Sequence, residues 1–181
     1  MIDFAAYREP ELRTDRLVLE PVTAWHGEAL FAFLKEPLLY TYIPREPPLA
    51  ASQVARRFEA LETRRSPDGA ELWLNWAVRI AANGYAGLAE ATVRPDGSAL
   101  VAWTVFLPHQ RQGIGREATA AMLAHLAAIG VREASAFIDT RNAASIRLAE
   151  ALGFKRVATH AAREKLRGRI VNDHDYRLAL T

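Results

Sequence analysis

The stretch Val105-Phe-Leu-Pro-His-Gln-Arg-Gln-Gly-Ile-Gly-Arg116 decides how this chain reads. It begins as the apolar end of a strand, is stopped by a proline, and turns through a polar loop with glycines at 113 and 115. Directly after it, Ala118, Met122, Leu126 and Ile129 recur at helical spacing, so a helix is expected over Gly113 to Ile129. Small residues where a strand opens into a helix let backbone N–H groups approach an anion, and the helix dipole favours negative charge there. A pyrophosphate suits such a turn. Taken alone, the segment is equally an ordinary tight connection. It lacks the third glycine of a dinucleotide fingerprint and the Gly-Lys-Ser/Thr of a P-loop.

The neighbouring segments add the context. Upstream lie three expected strands, Leu72 to Ile80, Tyr85 to Val93 and Ala99 to Leu107. The breaks between them, Asn83-Gly84 and Pro95-Asp96-Gly97, are hairpin-turn signals, which makes the three an antiparallel meander. Further upstream, Leu12 to Glu20 alternates like a strand. Thr23 is placed to cap a helix burying Leu30, Phe33 and Leu34 and ending before Pro37. Pro44, Pro47 and Pro48 mark a loop, and a second helix carries Val54, Phe58 and Leu61 before stopping near Ser66-Pro67-Asp68-Gly69.

Downstream, Ala134 to Asp139 is a short strand and Asn142 to Leu152 a helix closed by Gly153. Two last strands, Lys155 to Ala162 and Ile170 to Leu180, meet across Arg167-Gly168-Arg169. The order is β-α-α-β-β-β-α-β-α-β-β. The strand-helix-strand step from 99 to 139 demands a parallel pair, so an α/β (α+β) fold with a mixed sheet is expected. About seven strands flanked by four helices fit one domain over residues 1–181.

Composition narrows the function classes. The chain has 181 residues, half of them hydrophobic, and a formal net charge of only +2. Cysteine is absent, which removes disulfides and thiolate metal sites and suits a cytoplasmic location. No apolar run reaches the ~20 residues of a membrane span. The basic stretches Arg56, Arg57, Arg64, Arg65 and Arg163, Lys165, Arg167, Arg169 read as solvated faces and not as a nucleic-acid surface. With five scattered histidines and no His/Glu pair at ligand spacing, no metal site is expected.

Gln110-x-x-Gly113-x-Gly115 following a meander and opening a long helix resembles the acyl-CoA pyrophosphate motif of the GNAT acetyltransferases. Asn142-Ala-Ala-Ser-Ile-Arg-Leu-Ala-Glu-Ala-Leu-Gly-Phe154 resembles the N-x-x-S-…-G-F segment of that superfamily's RimJ/RimL branch. Leu12-Arg-Thr-Asp-Arg-Leu-Val-Leu-Glu-Pro21 and the last hairpin, with Gly168 and Tyr176, resemble the branch as well. The resemblance implies transfer of an acetyl group from acetyl-CoA to a primary amine of a small molecule or a protein N-terminus, by direct attack on the thioester. It implies that the backbone at Phe106 and Leu107 pairs with the pantetheine arm. The amides of Gln112, Gly113, Ile114, Gly115 and Arg116 are implied to hold the pyrophosphate, and Asn142 the pantetheine or the end of the cofactor. A strand N–H near Phe106 is the implied oxyanion donor and Ser145 the donor to the departing thiolate.

The chain departs from the pattern at three places. Ala149 stands where many GNAT enzymes carry a tyrosine acid, Leu100 where the branch often has its glutamate base, and Asn172 where the last hairpin often has aspartate. Glu90, mid-strand in Leu88-Ala-Glu-Ala-Thr92, is the best substitute base, since a carboxylate in an apolar strand needs a partner or a task. Its alternative is a structural pairing with an arginine. His174, Asp175 and His109 are weaker candidates, and Asp173 lies on the strand face opposite Asn172. Trp25, Tyr40, Tyr42 and Trp103 are aromatic candidates for the acceptor pocket. Two other readings stay open: an acyl-CoA-binding sensor without turnover, kept alive by Leu100, and a nucleotide site in an unrelated α/β protein. An exposed sheet edge would permit a homodimer.

Overall fold

The structure is a computed structural model that describes residues 2–4, 6–80, 84–166 and 169–180. Asn83, Arg167 and Gly168, part of two expected turns, lie outside the described residues, as do the side chains of Arg163, Lys165 and Arg169. In chain order the strands are β1 (Leu12–Arg13), β2 (Leu17–Pro21), β3 (Leu72–Ile80), β4 (Gly84–Val93), β5 (Ser98–Val105), β6 (Glu133–Asp139), β7 (Lys155–Leu166) and β8 (Arg169–Ala179). The helices are α1 (His26–Leu34), α2 (Ala51–Leu61), α3 (Ile114–Ala128) and α4 (Ala143–Ala151), with short 3₁₀ turns at Pro37–Tyr40 and Leu107–His109. The strands form one sheet in the order β1-β2-β3-β4-β5-β6-β8-β7.

The mixed α/β architecture and its four helices agree with the sequence, and the strand count differs by one. Leu12 to Glu20 is not a single strand. Thr14 breaks it: its N–H donates to the Leu17 carbonyl at 2.9 Å and its hydroxyl oxygen accepts from the Leu17 N–H at 2.9 Å. That local turn folds β1 back on β2, pairing Leu12 with Leu19. Thr23 likewise does not cap α1. Its N–H donates to Nδ1 of the buried His26 at 3.1 Å, and the helix starts two residues later than the capping pattern suggests, with Trp25 at the N-cap.

Each face of the sheet buries a different pair of helices. On one face Leu19, Leu74, Trp76, Ala91 and Val101 pack against Met122 and Leu126 of α3 and Ala149 of α4. On the other, Ala77, Leu88 and Phe106 pack against Leu30 and Leu34 of α1 and Val54 and Phe58 of α2. Complete burial of one such side chain is worth about 1.5–3 kcal/mol, so neither helix pair is ornamental.

What places the site is a divergence in the middle of the sheet. β5 follows β4 antiparallel from Val93↔Ala99 to Gly87↔Val105. Its parallel pairing with β6 lasts only from Ser98↔Glu133 to Leu100↔Ser135. Beyond Leu100, β6 continues along β8 as far as Asp139↔Asp173. The two strands therefore splay, and one edge of β5 is left without a neighbouring strand among the described residues.

Candidate active site

The loop after β5 carries two left-handed residues, Arg111 at φ 62° and Gly113 at φ 78°. That backbone aims the start of α3 at the splay. The first helical bond runs from Glu117 N–H to the Gly113 carbonyl, and Gly113 makes no side-chain cap. The N–H groups of the first turn thus face outward without intrahelical partners, as an anion site requires. Gly115 is needed for a different reason. A Cβ there would lie 2.8 Å from Leu148 Cδ1 and 3.0 Å from Val105 Cγ2, so α3 reaches β5 and α4 only because none is present. The loop is braced from behind: Arg16 donates to the Gln112 carbonyl at 3.3 Å and pairs with Glu117 at 2.5 Å. The Gln112 side chain is turned back to the Pro108 carbonyl at 3.0 Å, so its contribution to a ligand is through the backbone.

This helix start opens onto a cleft of about 1000 Å³ that runs through the splay. Leu107, Gly113, Ile114, Gly115, Arg116, Asn142, Ser145 and Glu90, all expected site residues, line it. The Phe106 expectation fails. Phe106 is 1 % exposed, stacks on Phe33 with ring centroids 4.8 Å apart, and its N–H donates to the Ala86 carbonyl at 2.8 Å. It is a core residue whose amide is already used by β4. The alternation along an antiparallel pair points the amides of Trp103 and Val105 the other way, into the splay. These two, with Leu107 at the rim, leave their main-chain groups along the open edge of the cleft. The Gln110 side chain donates to the Val105 carbonyl at 3.1 Å, which fixes the end of that edge.

The second wall comes from the start of α4. Asp139 is buried at the end of β6 and accepts from Arg141 Nε at 2.9 Å and Nη2 at 2.6 Å. The Arg141 hydrogen bonds hold the Asp139 carboxyl below its usual range. This clamp sets the loop so that Asn142 caps α4, its Oδ1 accepting from Ser145 N–H at 3.1 Å. The amide nitrogen of Asn142 and the Ser145 hydroxyl have no described protein partner and belong to residues lining the cleft. Arg111 and Arg147 add two exposed cations to the lining.

Glu90 sits on the α1/α2 face of the sheet, paired with Arg57 of α2 at 3.2 Å. It lines the cleft and is part-exposed, so the arginine pairing and access to a substrate coexist. Burial pushes the Arg57 guanidinium down. Tyr42 and Trp103 also line the cleft, whereas Tyr40 is buried with its hydroxyl donating to the Leu34 carbonyl and Trp25 is largely exposed outside it. His109 lines the cleft beside Phe33. His174 lies on the opposite face, bonded to Thr159, and Asp175 is buried and held by Arg177 at 3.2 Å. Asp173 is buried and Asn172 exposed, on opposite faces as read from the strand period. The open main-chain edge at Trp103 and Val105 has no side-chain signal in the sequence. Arg147 and Arg111 carried no motif signal.

The splayed mixed sheet leaves an open strand edge that leads to an uncapped helix start, a groove with room for a long ligand and free N–H groups for an anion at its end. The chain belongs to the GNAT acetyltransferases: the profile of the Acetyltransferase (GNAT) domain matches residues 16–155. It is thus an acyl-CoA-dependent N-acetyltransferase. No curated protein matches it by sequence. Among solved structures it is similar to a probable GNAT-family acetyltransferase from Chromobacterium violaceum, at 23% identity and TM-score 0.81, covering 96% of this chain and 92% of that one. It is also similar to RimL, a ribosomal alpha-N-protein acetyltransferase in complex with coenzyme A, at 18% identity and TM-score 0.84, covering 94% and 98%. A third is spermidine N-acetyltransferase from Vibrio cholerae in complex with CoA and spermine, at 16% identity and TM-score 0.79, covering 92% and 97%. At these identities the likeness speaks for the fold. Among the described residues, no helix is long and apolar enough to cross a membrane, and no cluster of His, Asp or Glu is arranged to hold a metal ion.

Proposed function

We propose that the chain acetylates a primary amine in the cytoplasm, with acetyl-CoA as donor, and that it belongs to the RimJ/RimL branch on the strength of Asn142, Ser145, Gly153 and Phe154. The observation that carries this reading is the continuity of one cleft from the uncapped α3 start, along the free edge of β5, to Glu90. The amides of Gln112 to Arg116 hold the pyrophosphate and the main chain of Trp103 and Val105 pairs with the pantetheine. Asn142 adds a hydrogen bond at the end of α4.

In this mechanism Glu90 takes the proton from the incoming ammonium, leaving a neutral amine. The nitrogen lone pair attacks the thioester carbon, forming the C–N bond. The negative charge that develops on oxygen is met by a main-chain N–H of the β5 edge. Collapse breaks the C–S bond, the nitrogen loses its second proton to solvent, and the thiolate takes a proton from the Ser145 hydroxyl, which solvent resupplies. The arginine contact orients the Glu90 carboxylate toward the cleft.

Calorimetric titration of acetyl-CoA, followed by CoA release with a panel of primary amines, tests the reading. Micromolar binding and amine-dependent release are expected, and a wild type that does not bind acetyl-CoA overturns it. Glu90→Gln is expected to lower kcat by about 100- to 1,000-fold at unchanged acetyl-CoA affinity. Undiminished turnover removes Glu90 as the base. Ser145→Ala, which deletes one proton donor to a good leaving group, is expected to lower kcat by roughly 10-fold. Leu100 favours a second reading, an acyl-CoA sensor, which binding without release for any amine would select.

A further inference from the structure

Beyond Glu90 the cleft continues into a pocket of about 280 Å³ on the α2 face of the sheet. The two spaces share Glu90, Val101 and Ala102, so whatever amine reaches Glu90 also meets this pocket. Its charged lining is two arginines, Arg45 and Arg57, against the single carboxylate of Glu90. Arg57 spends one N–H on Glu90 and is 35 % exposed, with further donors of its planar fork available. Arg45, from the loop after the 3₁₀ turn, makes no side-chain hydrogen bond or ion pair to the described residues. Leu100 lies in the same lining, so no second acid balances the pair.

The carboxylates elsewhere on this face are differently placed. Asp139 is clamped by Arg141 and Asp175 is held by Arg177, with His160 3.9 Å away. The uncompensated charge next to Glu90 is therefore positive. A diamine or polyamine brought to Glu90 would set its second cation against two guanidinium groups. An acceptor bearing a carboxylate a few bonds from its amine would satisfy both sides. Its amine faces Glu90, and its carboxylate meets the arginine forks, the geometry in which guanidinium groups bind carboxylates best. Trp73 and Leu61 supply apolar wall for the remaining carbon chain.

We infer that the acceptor is an amine that also carries a carboxylate, of the free amino-acid class, with Arg45 and Arg57 as the carboxylate site. The inference rests on the reading of this cleft as the acceptor side of acetyl transfer. It predicts preference among acceptors, which that reading alone does not.

The test measures acetyl-CoA-dependent acetylation of proteinogenic amino acids against their decarboxylated amines, for example leucine against isopentylamine and phenylalanine against phenethylamine. Acetyl-CoA binding is followed by calorimetry in parallel. For at least one pair the wild type is expected to favour the carboxylate-bearing member by about 100-fold in kcat/KM, the scale of losing a charge-assisted bidentate contact. Arg45→Gln, on an exposed loop residue, should reduce that ratio to within about threefold of one, chiefly through KM, and Arg45→Lys should restore part of it. Arg57→Gln should act in the same direction, and Arg45→Gln carries the test where the part-buried Arg57 variant fails to fold. Equal or better use of every decarboxylated amine, no turnover of any amino acid, or an unchanged ratio in Arg45→Gln overturns the inference. If acetyl-CoA still binds in those cases, the cofactor site stands and only the acceptor assignment falls. A wild type without acetyl-CoA binding removes both.

Discussion

Gly113→Trp is expected to weaken acetyl-CoA binding by at least about 100-fold while leaving the fold in place. The backbone at Gly113 has φ 78°, and among the described residues beyond its chain neighbours an added Cβ meets Arg16 Nη2, at 3.4 Å. A bulky side chain there starts against Arg16, so it displaces the brace on the Gln112 carbonyl and the first-turn amides which that loop presents to the cleft. The left-handed conformation costs a non-glycine residue about 1–2 kcal/mol, which lowers the melting midpoint of a chain this size by roughly 2–8 °C. Calorimetry and thermal melting separate the two effects. Affinity close to that of the wild type would show that the cofactor phosphates do not use this helix start. Gly115 makes a useful contrast. A side chain at that position collides with Leu148 and Val105 and should damage stability together with binding.

Much of this arrangement is written locally. Leu72 to Ile80 has the bounds expected for the first strand of the meander, and the glycine at 113 occupies a left-handed position in the turn. The features that escaped a sequence reading are those decided between segments. Phe106 looks like the last residue of a strand pointing at the cofactor. Which way its amide faces depends on register, and the bond to Ala86 gives it to β4. Once that parity is known, Trp103 and Val105 follow. The pairing of Glu90 with Arg57 joins residues 33 apart in the chain, and no period links them. The break of the expected strand at Thr14 and the failure of Thr23 to cap α1 have a related cause. Each hydroxyl or amide has several near neighbours to bond, and the choice between Leu17, His26 and a helix end is made by packing.

At pH 9, where Glu9 is ionised, Arg64→Met is expected to destabilise the protein by about 3–5 kcal/mol, or a fall of roughly 6–20 °C in the melting midpoint. Glu9 is the cause. Its side chain is 1 % exposed, Arg64 Nε lies 2.5 Å from one of its oxygens, and the Asn75 N–H donates to the other at 2.6 Å. Removing the arginine leaves a carboxylate buried against β3 with one hydrogen bond. Burial pushes the Glu9 carboxyl up to about 8, against the opposing pull of Arg64 and the Asn75 amide. The sign of the pH dependence follows. A carboxyl whose folded pKa exceeds its unfolded value of about 4.3 holds its proton more tightly when folded. Stability from this group is therefore highest in acid and declines as pH rises to about 8, beyond which it is level. In Arg64→Met the folded pKa moves higher still, so the variant should be weakest at pH 9 and recover most at pH 6. Glu9→Gln should flatten the profile, and Glu9→Gln with Arg64→Met should regain most of the loss, since a neutral amide tolerates burial better than an unpaired charge. Equal melting deficits at pH 6 and pH 9 would assign the cost to lost packing of the arginine stem instead. The pairing also bears on activity. Glu9 ties the N-terminal segment and β3 to the residues that follow α2, the helix that carries Arg57. Loosening it should raise the acceptor KM more than the affinity for acetyl-CoA changes.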